Sequence, residues 1–343
     1  MSKVLKKSLL LSIILIIGLV FIAACGNTQD NNVQEKEKAP ENKQVEEKKE
    51  VDFPKRNINI SIPFGAGGGT DQVGRILAGL AEKNSGVNWV CTNDIGGAGA
   101  LAMGNIAKST PDGYNLLFIT SNISVLKHMG HTELNYENFE PIIAVNTDPA
   151  ALIVRSDSGW NTLEDFIAAA KEKRLKVQTG AAGGLWQVGA LAMKNALNLD
   201  LNIIPSGTGG APAAPALLGK QVDAIAIAPN EALSGLKTGE FKVLVSLGRD
   251  RSALGPDAPT MVELGYPDIT AQAVRAFYAP KGTPPEVVKK LHDMLKAAVE
   301  SKEYPEYMES TGSTVNYMNT EDLVKYLEWE FEAYKKLLAF AGL

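Results

Sequence analysis

The sequence predicts an α/β fold in two lobes, each a mostly parallel sheet flanked by helices. Three observations predict it. Short β-branched runs alternate with helical stretches from Ile58 onward, the order that gives parallel strands covered by helices. At 343 residues the chain is longer than one compact core usually accommodates. Many of the 32 glycines cluster in short runs at strand-to-helix junctions, where an α/β chain must turn tightly.

The elements follow in order. Ile58-Asn59-Ile60-Ser61-Ile62 alternates with period two, as a half-buried strand does. Val73, Ile76, Leu77 and Leu80 then mark one face of a helix that Thr70 or Asp71 is placed to cap. Strands are expected at 87–91, 116–119, 151–154, 177–179, 202–205, 224–228 and 242–246, and helices at 162–173, 185–197 and Ala213–Leu218. Leu323, Leu327, Phe331, Tyr334 and Leu338 give the last helix one apolar face.

Before this body lies a different kind of chain. Lys3, Lys6 and Lys7 precede an uncharged, mostly apolar stretch over 8–24, which ends in Ala23-Ala24-Cys25-Gly26. A basic start, an apolar core and small residues before a junction read as an export signal over 1–24. Its cysteine resembles a bacterial lipobox, which would make Cys25 a diacylated N-terminus; two acyl chains suffice for a stable anchor. Residues 26–50 hold seven acids and five lysines and almost nothing apolar, so 25–52 is expected to be a disordered, lipid-anchored tether. Cys91 then has no partner in its own chain and is expected to be a small core residue.

Composition removes several classes of function. With 45% hydrophobic and 21% charged residues the body is ordinary globular protein. A net charge of −5 gives no electrostatic reason to expect nucleic acid. His128 and His131, three apart, are two candidate ligands and not a full metal site, and no nucleophile elbow is present. Asp71 and Arg75, four apart on a helix, read as a local ion pair. No catalytic group, cofactor or metal is expected.

Three glycine loops remain: 63–71, 179–184 and 205–211, each between a strand and a helix. First-turn amides of a helix lack intrahelical partners and carry the positive end of its dipole, so such loops suit a carboxylate or phosphate. None has the lysine of a P-loop or the spacing of a dinucleotide fingerprint.

At these loops the chain resembles the extracytoplasmic substrate-binding receptors of tripartite tricarboxylate transporters, the Bug-type receptors. Pro63-Phe64-Gly65-Ala66-Gly67-Gly68-Gly69-Thr70-Asp71 matches their opening motif, and Asn93-Asp94-Ile95-Gly96-Gly97-Ala98-Gly99 the next. Pro111-Asp112-Gly113-Tyr114, Gln221-Val222-Asp223, Ala258-Pro259-Thr260-Met261 and Ala279-Pro280-Lys281-Gly282 follow in order, so the resemblance covers about 53–340. Two departures stand out. Gln187-Val188 replaces a frequent His-Leu pair, and the third loop begins Pro205-Ser206-Gly207-Thr208-Gly209 instead of Pro-Tyr-Lys-Gly.

The resemblance implies a periplasmic-binding-protein-like fold with a ligand cleft between lobes. Lobe one would comprise 53–146 and 276–343, and lobe two 147–275. A ligand carboxylate would rest on Phe64, Ala66, Gly67, Gly68, Gly69, Thr70 and Asp71, with Asn93 beside them. Lobe two would offer Thr179, Gly180, Ala181, Gly184 and Gln187, then Ser206, Gly207, Thr208, Gly209 and Asn230. None of these is a cation; Arg275, near a crossing between lobes, could supply one. The protein is then expected to be a monomeric, lipid-anchored receptor on the outer face of the cell membrane, passing a small organic acid to membrane transporter subunits. An exported enzyme that uses the loops as a phosphate or oxyanion cradle is the alternative.

Overall fold

The computed structural model describes residues 52–343. The export signal, Cys25 and nearly all of the tether lie outside the described residues. Among the described residues, no helix is long and apolar enough to cross a membrane.

The chain opens with β1 (Ile58–Ile62), α1 (Gly69–Ser85), β2 (Trp89–Asn93), α2 (Ala100–Ala107), β3 (Asn115–Ile119) and α3 (Asn122–Val125). β4 (Phe139–Pro149) then leads to β5 (Ala151–Arg155), α4 (Leu163–Glu172), β6 (Leu175–Ala181), α5 (Leu185–Ala196) and β7 (Leu201–Ser206). After these come α6 (Ala213–Leu218), β8 (Ala224–Ile227), α7 (Leu233–Lys237) and β9 (Phe241–Ser246). The chain returns through β10 (Gln272–Pro280) and ends with α8 (Pro285–Val299), α9 (Glu303–Thr311), β11 (Thr314–Met318) and α10 (Thr320–Ala341).

Two sheets result, in the orders β11-β4-β10-β3-β1-β2 and β7-β6-β8-β5-β9. They are mixed, where mostly parallel sheets were expected. β1 pairs in parallel with β2 and β3, and β6 with β7 and β8. All pairings of β4, β5, β10 and β11 are antiparallel. The double crossing is the reason: a chain that leaves one sheet along β4 and returns beside it along β10 must run in opposite directions. These two strands pair from Phe139 opposite Pro280 to Pro149 opposite Gln272. The ribbon carries on past their ends, where Ala150 N–H bonds to Ala271 O at 2.8 Å.

The alternation in β1 does its work in the first core. Ile58, Ile60 and Ile62 are fully buried, with Val73, Leu77 and Leu80 of α1 over them. Phe118 and Phe277 stack at 4.3 Å within the same core. Each such side chain contributes roughly 1.5–3 kcal/mol by leaving water. The second sheet is covered by Phe166 of α4 and by Val188 and Met193 of α5.

The last helix belongs to neither sheet alone. Leu323 and Leu327 join the core on the first sheet, whereas Tyr334, Leu337, Leu338 and Ala341 pack into the core of the second, beside α5. At the change-over sits Glu330, buried, accepting from Ser121 Oγ at 2.5 Å and Ser124 Oγ at 2.7 Å. Burial pushes its carboxyl up to about 7, although the two serines, Tyr326 and Tyr334 pull it back.

Since the unfolded chain titrates near the ordinary 4.5, the folded state holds the proton more tightly. Stability contributed by the neutral form is therefore full below about 4.5 and is lost as the pH rises through about 7. Glu330→Gln is expected to flatten that slope. It should raise stability by roughly 3 kcal/mol at pH 8 and by little at pH 4.5. Urea titrations of both proteins at the two pH values check this; equal gains at both would show that ionisation is not the cause.

Candidate functional site: two helix N-termini across a cleft

Loop 63–71 turns from β1 into α1, with Gly68 as the N-cap and no capping side chain. Thr70 and Asp71, expected as caps, lie inside the first turn instead. The equivalent turn from β6 into α5 is built alike, with Gly184 as N-cap. In each loop the third helical residue reaches back to the glycine before the cap. Gly67 N–H donates to Asp71 Oδ2 at 2.9 Å, and Gly183 N–H donates to Gln187 Oε1 at 2.7 Å. Asp71 and Gln187 thus tie their loops from behind and leave the first-turn N–H groups turned outward.

Asp71 is itself held. It accepts from Arg75 Nε at 2.9 Å and from Asn93 Nδ2 at 2.8 Å, and Asn93 Nδ2 also donates to Phe64 O at 2.8 Å. Burial raises its carboxyl, but the bonds from Arg75, Gly67 and Asn93 outweigh this and keep it below the usual carboxylate range. The ion pair expected of Asp71 and Arg75 is present.

The cleft between the sheets has a cavity volume of only about 30 Å³, room for roughly two waters. One wall is Phe64, Gly65, Gly68, Gly69 and Thr70; the other is Ala181, Gly184, Leu185 and Trp186, with Thr208, Gly209, Gly210 and Ala211. Thr120, Asn122, Glu231, Ala273 and Arg275 complete it. The walls touch through hydrogen bonds. Gly65 N–H donates to Thr208 O at 2.9 Å. Asn122 Oδ1 accepts from Leu185 N–H at 3.0 Å, while its Nδ2 donates to Ala98 O at 2.7 Å.

Among the described residues, Arg275 is the one cation in the lining. Its side chain is 1% exposed and donates through Nε to Thr70 Oγ1 at 3.0 Å and through Nη1 to Asp148. Asp148 Oδ2 also accepts from Asn146 at 2.9 Å and Asn230 at 3.2 Å. Close approach explains one glycine here: a Cβ on Gly69 would lie 2.7 Å from Arg275 Nη2.

Of the residues expected at the site, Phe64, Gly68, Gly69, Thr70, Ala181, Gly184, Thr208 and Gly209 line the cavity. The others do not. Ala66, Gly67 and Gly207 are exposed on the outer sides of their loops. Asp71, Asn93 and Gln187 hold loops from behind. Thr179 is fully buried, Gly180 packs under Trp186, and Ser206 is spent on Gly209. Asn230 faces a second hollow beyond Asp148, with Asp250 and Asn316. Sequence reasoning missed Thr120, Asn122, Trp186 and Glu231. A polar run directly after a buried strand, as in Thr120-Ser121-Asn122 after β3, could have pointed to two of them.

The described residues contain no cluster able to hold a metal ion, and His128 is engaged with Phe331 O at 2.9 Å. Cys91 is half-buried, and burial pushes its thiol up to about 11, so it stays protonated at neutral pH.

Known proteins resemble this chain in sequence and fold. A 31% identical relative, a UPF0065 protein of Bordetella pertussis, aligns over 85% of this chain and 91% of its own length. The structure of a ligand-free TctC solute-binding protein from Polaromonas is 32% identical, with a TM-score of 0.66 over 84% of this chain and 99% of its own. That of the periplasmic binding protein BugD is 30% identical, with a TM-score of 0.74 over the same shares. The sequence profile of the tripartite tricarboxylate transporter family receptor matches residues 73–343. The chain therefore belongs to the tripartite tricarboxylate transporter receptor family and is a solute-binding protein, not an enzyme.

Proposed function

We propose that this protein is a lipid-anchored extracytoplasmic receptor that captures a small carboxylic acid and delivers it to the membrane subunits of a tripartite tricarboxylate-type transporter. One observation carries the reading: the amide end of α1 already holds a carboxylate oxygen, since Gly69 N–H donates to Glu231 Oε1 at 3.4 Å. A site that binds the protein's own buried carboxylate has the donors to bind a solute's. With room only for water, the cleft takes a solute once it has opened. The reading gives 53–146 and 276–343 to one lobe, with the end of α10 reaching over into the second core, and 147–275 to the other, with β4 and β10 as the hinge ribbon. Loops 64–70, 179–184 and 206–210 would then close on the solute from both sides.

Titration calorimetry of the full chain in detergent against mono-, di- and tricarboxylates tests capture. Saturable binding of at least one acid is expected, and none by a folded protein would remove the reading. Anchoring is tested separately by labelled palmitate, which should enter the native chain and not Cys25→Ala.

A further inference from the structure

We infer that Glu231 is the specificity-determining residue of the cleft, reserving it for carboxylates that also carry an ammonium group. The inference rests on the receptor reading above and concerns the charge of the solute. Glu231 follows β8 in a short 3-10 turn (Pro229–Ala232), on the sheet opposite α1. Its carboxylate lies across the cleft in the α1 cradle. Oε1 takes the Gly69 N–H, and Oε2 is out of solvent with no hydrogen-bond partner among the described residues. Oε2 presses so closely on the loop after β7, on its own side of the cleft, that a Cβ on Gly210 would lie 2.1 Å away.

The charges around it do not balance. Arg275 lines the same cavity, but its guanidinium already pairs with buried Asp148. Glu231 is thus left as a buried acid beside a neutral pair, and such a group is costly unless something positive joins it. Its carboxyl is accordingly raised: burial dominates, Asp148 adds to the rise, and Arg275 and the Gly69 N–H only partly offset it.

A solute carboxylate must displace Oε1 to reach Gly69. Closure then brings Glu231 against the carboxylate that displaced it. Two carboxylates in a buried site repel unless a cation lies between them. An ammonium on the solute supplies that cation, bonding to the free Oε2 while the solute carboxylate takes the α1 amides. A second carboxylate in its place meets an acceptor with no donor to give.

Matched solutes decide the matter: alanine with propionate, aspartate with succinate, glutamate with glutarate. Each is titrated calorimetrically into the full native chain and into Glu231→Gln at pH 7.5, in two buffers of different ionisation enthalpy. The native protein should bind at least one amino member tenfold or more tighter than its partner, with no net proton uptake. Glu231→Gln, checked for folding by its thermal melt, should lose that preference. Equal or tighter binding of the partners by the native chain overturns the inference. So does partner binding with proton uptake, or a preference that Glu231→Gln keeps. If no member of any pair binds the folded native chain, the receptor reading fails as well.

Discussion

Arg275→Met is expected to lower the unfolding free energy by about 3–5 kcal/mol, the usual cost of removing one partner from a buried ion pair. Asp148 would remain, buried at 3% exposure, with Asn146, Asn230 and Ser313 as its remaining side-chain donors among the described residues. Thr70 would lose its partner in the first turn of α1, and the space filled by the guanidinium against Gly69 would open. The loss therefore reaches from the β4–β10 ribbon to the cradle. Adding Asp148→Asn should recover much of it, because the second change removes the stranded charge. Urea denaturation of both single variants and the double variant measures the coupling. A loss below about 1 kcal/mol for Arg275→Met would mean that water reaches Asp148 and that the pair is not isolated.

Gly68→Val is expected to weaken carboxylate binding at least 100-fold, about 2.8 kcal/mol, while the fold survives. The backbone at Gly68 is at φ −73°, which any residue adopts. A first side-chain carbon would meet Gly65 O at 3.2 Å and Glu231 Oε1 at 3.7 Å. The remaining valine carbons have to enter a cavity of about 30 Å³ between α1 and the facing loops. They would cover the amides that a solute needs. Calorimetry with whichever acid the native chain binds, alongside a thermal melt, separates lost binding from lost folding. Native-like affinity would place the solute away from the α1 terminus.

Much of the chain was legible as sequence because local rules govern it. β1 runs over Ile58–Ile62, as its alternation predicts, and the glycine loops do precede α1 and α5. Asp71 shows where such reading stops: its type and spacing disclosed the ion pair, yet its carboxylate turns behind the loop and not into the cleft. Glu231 shows the limit more sharply. Its partner, Gly69, lies 162 residues away, and no local pattern distinguishes it from a solvated acid after a strand. Asn122 enters the site through a contact of the same long-range kind, with Leu185 63 residues further on. The antiparallel strands were likewise out of reach, since they follow from the path between sheets and not from composition.

α10 gives the cleft a built-in gauge. A helix with Leu323 and Leu327 seated in one core and Tyr334, Leu337 and Leu338 in the other is a rod clamped on both sides of the β4–β10 ribbon. Parting the sheets, as the proposed capture requires, would bend that rod at Glu330 or drag its last two turns along α5. The angle of the cleft is thereby written into the far end of the chain. Amide exchange over 334–341 should quicken when the cleft is open and slow when a solute holds it shut.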